Sequence, residues 1–171
     1  MRFHDCRDIA PAANASVHDG WTLLLPNDRC LALRFLEIMQ QMNRATYSPA
    51  DPGRELRKMT SYPCEYYYYA GVAFEIVVGF KWLRRLKRFR IMSVGFVGEI
   101  RPAEALDRIA AKLKQFASDN GVDRLVAIRP WQMDNPRILE LYGLLRGHPT
   151  LHVRGGHKLP EGEYLWIGFA F

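Results

Sequence analysis

The sequence predicts an α/β (α+β) fold, in which a mixed sheet of about six to seven strands has helices on both faces. Residues 90–142 alternate strand, helix, strand and helix patterns, an order that produces neighbouring parallel strands joined by a crossover helix. Before and after this stretch, residues 65–82 and 151–171 show strand patterns with no helix between them, which indicates antiparallel pairing. A length of 171 residues is expected to form one domain over residues 1–171.

The first helix is predicted from Asn27 or Asp28 to about Arg44, because its apolar residues recur at three- and four-residue spacing. Either residue can cap the free N–H groups of the first turn. Residues 65–70 and 76–82 follow as two strands. The short connection between them predicts an antiparallel hairpin.

Four consecutive tyrosines, Tyr66 to Tyr69, occupy the first of these strands. Because side chains alternate along a strand, two of the rings lie on each face of the sheet. Tyrosine suits half-buried strand positions, so a structural role is favoured. The alternative is a platform on which nucleic-acid bases stack.

Residues 81–90, KWLRRLKRFR, carry six positive charges interleaved with apolar side chains. We favour a solvated connection between two antiparallel strands, in which the aliphatic stems cover apolar neighbours. The alternative is a binding surface for an anionic partner or a protein at Lys81 to Arg90. A net charge of +6 and a pI near 9.4 favour anionic partners but do not choose among them.

A long strand over residues 90–100 is predicted to lead into a helix through Pro102, which suits a first helical turn. Apolar residues of this helix form a buried stripe, and the charged Glu104, Arg108 and Lys112 are expected to face outward. The run at residues 125–128 predicts a strand covered on both faces.

Asn135 and Pro136 are the expected start of the last helix, with asparagine as the cap and proline in the first turn. Residues 151–154 and 164–171 are the two closing strands. We expect residues 155–163, GGHKLPEGE, to connect them.

The three cysteines, Cys6, Cys30 and Cys64, are far apart in the sequence, which predicts reduced thiols and a cytoplasmic protein. The N-terminus lacks the apolar stretch of a signal peptide, and no apolar run is long enough to span a membrane. Three histidines near the C-terminus lack metal-ligand spacing, so no metal site is expected. The sequence contains no phosphate-binding loop, nucleophile elbow or dinucleotide fingerprint.

Four segments carry a resemblance to a known family: EIVVGFKW, VGFVGEIRP followed by EALDRIAAKL, NGVDRLVAIRP and NPRILELYGLL. Together they resemble the GNAT (GCN5-related N-acetyltransferase) superfamily over residues 65–171. The last segment is the most specific, because in that family an asparagine opens this helix and a tyrosine near its end is the general acid. Asn135 and Tyr142 occupy the matching positions.

The resemblance implies that acetyl-CoA lies between two parallel strands that splay apart, with its pyrophosphate on a helix N-terminus. It also implies that Tyr142 is the general acid for the leaving thiolate and Glu99 the base for the acceptor amine. The alternative for Tyr142 is a core tyrosine whose hydroxyl is satisfied locally. The alternative for Glu99 is a surface carboxylate or a partner of Arg101. The cofactor contacts that it implies are Val97, Gly98, Ile100, Arg101, Ala103 and Asn135.

One part of the family pattern is missing. The pyrophosphate loop Q/R-x-x-G-x-G/A does not occur, and only RPAEA separates Ile100 from the apolar stripe at Leu106. Pro102 removes one N–H donor, and Glu104 adds negative charge where a phosphate would lie. Arg101 can offset this in part, and Arg129 lies at the end of the neighbouring strand. The missing loop therefore argues against ordinary binding of acetyl-CoA, although the family resemblance implies this cofactor.

Three hypotheses follow. The first is an acyltransferase that moves an acyl group from acyl-CoA to an amine. The second is a non-catalytic protein of the same fold with a binding or assembly role, similar in general character to small internal virion proteins of tailed phages, in which case it would be found in the virion. The third is a nucleic-acid-binding module that uses Tyr66 to Tyr69 and Lys81 to Arg90.

Overall fold

The computed structural model describes residues 17–18, 20–25, 28–42, 57, 64–130 and 136–169. These residues form eight strands and three helices. In chain order they are β1 Val17–His18, β2 Trp21–Leu23, α1 Arg29–Met42, β3 Cys64–Ala70, β4 Phe74–Leu83, β5 Arg88–Gly98, α2 Pro102–Asp119, β6 Arg124–Pro130, α3 Pro136–Gly147, β7 Leu151–Leu159 and β8 Gly162–Phe169.

All eight strands belong to one sheet, in the order β1-β2-β3-β4-β5-β6-β8-β7. Strands β1 to β5 are antiparallel, β5 and β6 are parallel, and β6, β8 and β7 are antiparallel again. The predicted α/β class and mixed sheet are confirmed. The eighth strand is β1, which has only two residues.

Helix α1 covers one face of the sheet, which we call the α1 face. Asp28 caps the helix by accepting a hydrogen bond from the Leu31 N–H at 2.9 Å. The Phe35 ring packs edge-on against Tyr66, with 5.0 Å between ring centroids. A Cβ on Gly95 would lie 3.3 Å from Met42, so the small residue lets the helix approach β5 closely.

Helix α2 covers the opposite face, which we call the α2 face. The rings of Phe116 and Phe80 stack in parallel with centroids 3.6 Å apart, and both side chains are fully buried. The prediction that Lys112 faces outward is wrong: its side chain is only 4% exposed. Its ammonium lies 3.8 Å from the centre of the Tyr67 ring, and this contact with the π system offsets part of the cost of burying the charge.

The tyrosine run has two rings on each face, as predicted, and each ring contacts a neighbour within the fold. Tyr66 contacts Phe35 on the α1 face, and on the α2 face Tyr67 lies 6.0 Å from Phe80 and Tyr69 lies 5.4 Å from Trp21. Tyr68 donates a hydrogen bond to Glu75. These contacts agree with the structural role of the run.

The basic run is more ordered than a loop. Strand β4 continues to Leu83, and β5 starts at Arg88. A four-residue turn joins them, closed by hydrogen bonds from the Leu86 N–H to the Leu83 carbonyl and from the Lys87 N–H to the Arg84 carbonyl. The turn therefore presents its cationic side chains at the tip of a hairpin.

Two further expectations are corrected. Residues 155–159 and 162–163 are strand rather than connection, because β7 runs to Leu159 and β8 starts at Gly162. Cys30 is disulfide-bonded, whereas Cys64 is a free thiol, so the expectation of three reduced thiols is wrong. Within the described ranges, no helix combines the length and the hydropathy needed to cross a membrane.

Candidate active site

The two parallel strands at the centre of the sheet are paired over a very short distance. Arg90 is opposite Val126, and Ile91 is opposite Ala127. In the part of the chain that the structure describes, these two pairs are the whole register between β5 and β6. Both strands continue beyond them, β5 to Gly98 and β6 to Pro130. A gap therefore opens between the two strands after Ile91 and Ala127, and their facing backbone edges line it.

A β-bulge lies where this gap begins. Gly79 of β4 is opposite Ser93 and Phe80 is opposite Ile91, which leaves Met92 as an extra residue in β5. An extra residue bends the bulged strand and increases its twist. Because the bulge follows the last pair between β5 and β6 directly, it accounts for the separation of the two strands.

The Tyr142 hydroxyl lies at the closed end of the gap. Tyr142 is on α3, and its hydroxyl donates a hydrogen bond of 3.0 Å to the Ile128 carbonyl. Ile128 follows Ala127, the last β6 residue that is paired with β5. Tyr142, the predicted general acid, therefore lies at the point where the strands part.

Burial raises the pKa of the Tyr142 hydroxyl to about 12, although the positive charges of Arg90 and Arg129 act in the opposite direction. The hydroxyl is therefore protonated at neutral pH. Arg90 was not singled out as a site residue. It is opposite Val126, next to the last pair between β5 and β6, so a cationic residue is also close to the closed end. Its Nε is buried and has no hydrogen-bond acceptor among the described residues.

The other end of the gap is formed by the end of β5. Gly98 has a φ of +94°, and a Cβ there would lie 2.2 Å from the Ala73 carbonyl oxygen. This glycine is thus required by the backbone itself. The N–H of the next residue, Glu99, donates to the same carbonyl at 2.8 Å, and the Glu99 side chain is exposed.

Helix α2 begins just beyond this point. Its first intrahelical bond runs from the Ala105 N–H to the Arg101 carbonyl at 3.0 Å. Pro102 has no N–H, so helix geometry leaves the N–H groups of Ala103 and Glu104 as the donors of the first turn. The Glu104 carboxylate lies 3.7 Å from Arg108 one turn later, and this cation partly neutralises it.

No protein-family model matches the sequence, and no curated protein matches it. Solved structures do match the fold. An aminoglycoside 6'-acetyltransferase of type Ii matches with a TM-score of 0.59 at 12% identity, over 86% of this chain and 94% of that one. An N-acetyltransferase from Staphylococcus aureus Mu50 gives 0.57 at 10%, over 86% and 94%. A protein from Bordetella pertussis assigned to the GNAT acetyltransferases gives 0.55 at 15%, over 91% and 99%.

The protein has a GNAT fold. The expected resemblance is confirmed, and identities of 10% to 15% make it a divergent example of that fold. The gap between β5 and β6 of this GNAT fold is the place where the resemblance predicted acetyl-CoA.

The predicted site residues of the GNAT fold fall into two groups. Tyr142 lies at the closed end of the gap, whereas the predicted contacts of the pyrophosphate lie at its open end, where Arg101 and Ala103 are exposed and Ile100 is partly buried. Val97 is buried. Asn135 lies outside the described residues.

The fold does not bring Glu99 and Tyr142 together. Glu99 is the first residue after β5. Tyr142 is bonded to Ile128, one residue beyond the last pair between β5 and β6. The eight residues of chain from Ile91 to Glu99 correspond to roughly 25 Å of strand. Glu99 is therefore at the opposite end of the gap from the predicted acid.

The histidines near the C-terminus form no metal centre with the described part of the chain, where no cluster of three or more His, Cys, Asp or Glu residues could hold an ion. His148 instead links two elements. Its ring contacts Asp107 of α2 at 3.0 Å and the Thr150 hydroxyl at 2.9 Å. This chain of polar contacts fixes the end of α3 against α2.

Proposed function

We propose that this protein is an N-acyltransferase that moves an acyl group from acyl-CoA to an amine. One observation carries the proposal: a protonated tyrosine hydroxyl lies at the closed end of a gap between two parallel strands. The GNAT fold alone does not decide function, because one fold can host unrelated activities. We therefore infer the activity from the residues that face the gap.

The edge of β5 beyond Ile91 fits the pantetheine arm of the cofactor, because backbone N–H and C=O groups on that side have no partner strand in the described structure. Amides of a ligand can bind such an edge as an added strand would. The start of α2 fits the pyrophosphate less well. It offers two N–H groups and the Arg101 side chain, and Pro102 contributes no donor. We therefore expect the donor to bind with an affinity weaker than is usual for this fold.

When bound, acyl-CoA supplies a thioester carbonyl for attack by the amine and a thiolate as leaving group. Tyr142 holds the proton that such a thiolate needs, because a hydroxyl with a pKa of about 12 stays protonated at neutral pH. The hydroxyl has a single proton, which it donates to the Ile128 carbonyl. To protonate the thiolate, the O–H must therefore turn from this carbonyl to the sulfur, and the hydrogen bond to Ile128 is broken. The positive charges of Arg90 and Arg129 stabilise the phenolate that remains after the proton has left.

Glu99 lies at the opposite end of the gap from Tyr142, too far away to act as the base for an amine that attacks beside Tyr142. Solvent is therefore the proposed acceptor for the amine proton, and the Glu99 carboxylate stays exposed at the far end of the gap. We expect Glu99→Gln to lower turnover less than Tyr142→Phe does.

The first test is binding. Acetyl-CoA is titrated into the protein by calorimetry and by thermal unfolding, and a ligand at 100 times its dissociation constant adds about 2.7 kcal/mol to the stability of the native state. No heat and no shift of the melting temperature at millimolar acetyl-CoA would contradict the enzyme. That result would favour the non-catalytic role of the same fold.

The second test is turnover, followed as thiol release from acetyl-CoA with a panel of amines that includes aminoglycosides, polyamines and peptides with a free N-terminal serine. Tyr142→Phe is expected to lower kcat about 100-fold or more and to leave acetyl-CoA affinity unchanged, because general acids contribute about 10²–10⁴. The matched control is Tyr67→Phe, which also loses a hydroxyl hydrogen bond, to Glu65 at 2.7 Å, but contacts α2 instead of the gap. Equal effects of the two substitutions would refute the acid role.

A further inference from the structure

The α1 face of β6, β8 and β7 carries an open groove of about 450 Å³. Helix α1 packs on β4 and β5, and the other two described helices contact each other and lie on the α2 face. Gly168 of β8 lies between Arg124 of β6 and His152 of β7 in the register of the sheet. Trp166 of β8 is opposite Arg154 of β7. These residues share one face of the sheet and line the groove together with Asp123 and Phe169.

The chemistry of the groove is cationic and aromatic. Arg124, Arg154 and His152 are exposed, and the Trp166 ring is partly exposed among them. Gly156 of β7 leaves room for this ring, because a Cβ there would lie 2.8 Å from the indole Nε1. The groove therefore has a flat ring positioned by the backbone and flanked by guanidinium groups.

The basic hairpin is continuous with this groove. Arg88 at the start of β5 lies 3.9 Å from Asp123, which also pairs with Arg124 at 3.0 Å. Arg90 is opposite Val126, the β6 residue that pairs with Trp166, so it points to the same face. The hairpin turn adds exposed cations at its tip.

We call these residues together the basic–aromatic surface. It consists of Lys81, Arg84, Arg85, Lys87, Arg88, Arg90, Asp123, Arg124, His152, Arg154 and Trp166. Eight of them are Lys or Arg and one is acidic. Because Asp123 already faces two arginines, the surface keeps a large excess of positive charge.

We propose that the basic–aromatic surface binds single-stranded nucleic acid. Cations that follow a groove can track a phosphate backbone, and an exposed aromatic ring stacks on any base. An acidic protein would use the charges but would leave the ring without a planar partner. In the nucleic-acid hypothesis from the sequence, Lys81 to Arg90 act together with Tyr66 to Tyr69. The tyrosine rings are occupied within the fold, and Trp166 takes their place as the stacking residue.

The experiment measures the anisotropy of fluorescein-labelled 12-nucleotide RNA and DNA of mixed sequence with the full chain at several salt concentrations. Binding is expected to weaken steeply with salt, with a slope of about 0.7 for each phosphate contact. The double variant Arg124→Gln with Arg154→Gln is expected to lower affinity about 10-fold or more and to reduce the slope by about 1.4, which is the share of two phosphate contacts. Comparing the RNA with the DNA shows which of the two sugars the surface prefers.

Trp166→Ala is expected to weaken binding about 5- to 100-fold, as for the loss of one base stack, and to leave the salt slope unchanged. The control is Lys158→Gln, which removes one exposed charge from β7 at a residue whose register partner is Glu163 instead of the groove. It is expected to change affinity less than 2-fold. All variants are checked by thermal unfolding, and the exposed Arg124 and Arg154 keep the test valid if Trp166→Ala does not fold.

Three outcomes would overturn the proposal. The first is the absence of saturable binding at about 50 mM salt, where phosphate contacts are strong. The second is an equal loss of oligonucleotide affinity in Lys158→Gln and Arg154→Gln. The third is that heparin displaces the labelled oligonucleotide as well as unlabelled oligonucleotide does, while Trp166→Ala leaves affinity unchanged. None of them depends on acyl-CoA. Failure of this proposal is therefore distinguishable from failure of the proposed acyltransferase.

Discussion

The Tyr142 hydroxyl keeps its proton because of where the fold places it. Burial raises its pKa to about 12, whereas a tyrosine in the unfolded chain ionises near pH 10. Between these two values the unfolded state releases a proton that the folded state retains. The free energy of unfolding therefore falls as the pH rises through this window. The pKa values of Tyr67 and Tyr68 are also raised, in both cases first by burial, so they act in the same direction.

This gives a prediction about alkaline stability. Between pH 9 and pH 11.5, wild-type protein is expected to lose more stability than Tyr142→Phe, by about 1–2 kcal/mol, because the variant has no hydroxyl to ionise. Urea unfolding at the two pH values measures the difference, and absorbance at 295 nm follows tyrosine ionisation in the folded protein. If both proteins lose the same free energy of unfolding, the pKa of Tyr142 is the same in the folded and the unfolded state.

Gly98, a predicted cofactor contact, is also required by the conformation of the backbone. With φ at +94° and the Ala73 carbonyl at 2.2 Å from a Cβ, a side chain here is strained and also clashes with the β3–β4 turn. We expect Gly98→Ala to destabilise the protein by at least about 2 kcal/mol. Gly143→Ala is the control, because a Cβ at that helical glycine meets nothing within 4 Å. A Gly98→Ala variant as stable as wild type would contradict this account of the β5 end.

At the scale of elements, an ion pair attaches α1 to the sheet. The Arg34 guanidinium donates to both carboxylate oxygens of Glu75 on β4, and the Tyr68 hydroxyl donates to the same carboxylate. Burial would raise the pKa of Glu75, but the hydrogen bonds of Arg34 and Tyr68 and the charge of Arg34 outweigh it and lower that pKa. The stability from this contact is therefore complete above the ordinary pKa of glutamate and is lost as the pH falls below it.

We expect Glu75→Gln to destabilise the protein by about 1–3 kcal/mol at neutral pH, because Arg34 loses a partner that is largely shielded from water. The matched control is Glu37→Gln. Glu37 contacts the same guanidinium at 2.8 Å but is 43% exposed, so its loss is expected to cost less than about 0.5 kcal/mol. Urea unfolding at pH 7 compares the two variants, and similar costs would contradict the difference in shielding.

The strand boundaries show what a local pattern can and cannot predict. Gly155 and Gly156 suggested a turn, but β7 continues through them. A Cβ at Gly155 would lie 2.5 Å from the Glu163 carboxylate, and a Cβ at Gly156 would lie 2.8 Å from the indole Nε1 of Trp166. Both neighbours come from β8, so the local sequence does not reveal them. Lys112 was misplaced for a similar reason, since the Tyr67 ring that accommodates its charge belongs to another element.

For the whole molecule, the order of strands and helices was predictable because each boundary has a local chemical signal, such as Pro102 at the start of α2. The position of Tyr142 followed from a family resemblance carried by one helix. The bulge at Met92 was not predictable, because it is a property of the register between β4 and β5, which no local pattern encodes. The shape of the candidate site depends on that bulge.

The short pairing between β5 and β6 also determines which backbone amides exchange with solvent. Beyond Ile91, N–H groups of β5 point alternately to β4 and to the gap. We expect deuterium to replace the second set orders of magnitude faster than the first, so that protection alternates from one residue to the next over residues 93–97. Nuclear magnetic resonance can follow this pattern, and a bound acyl-CoA that pairs with the edge would slow the fast set. Uniform protection along the strand would mean that the gap is closed in solution.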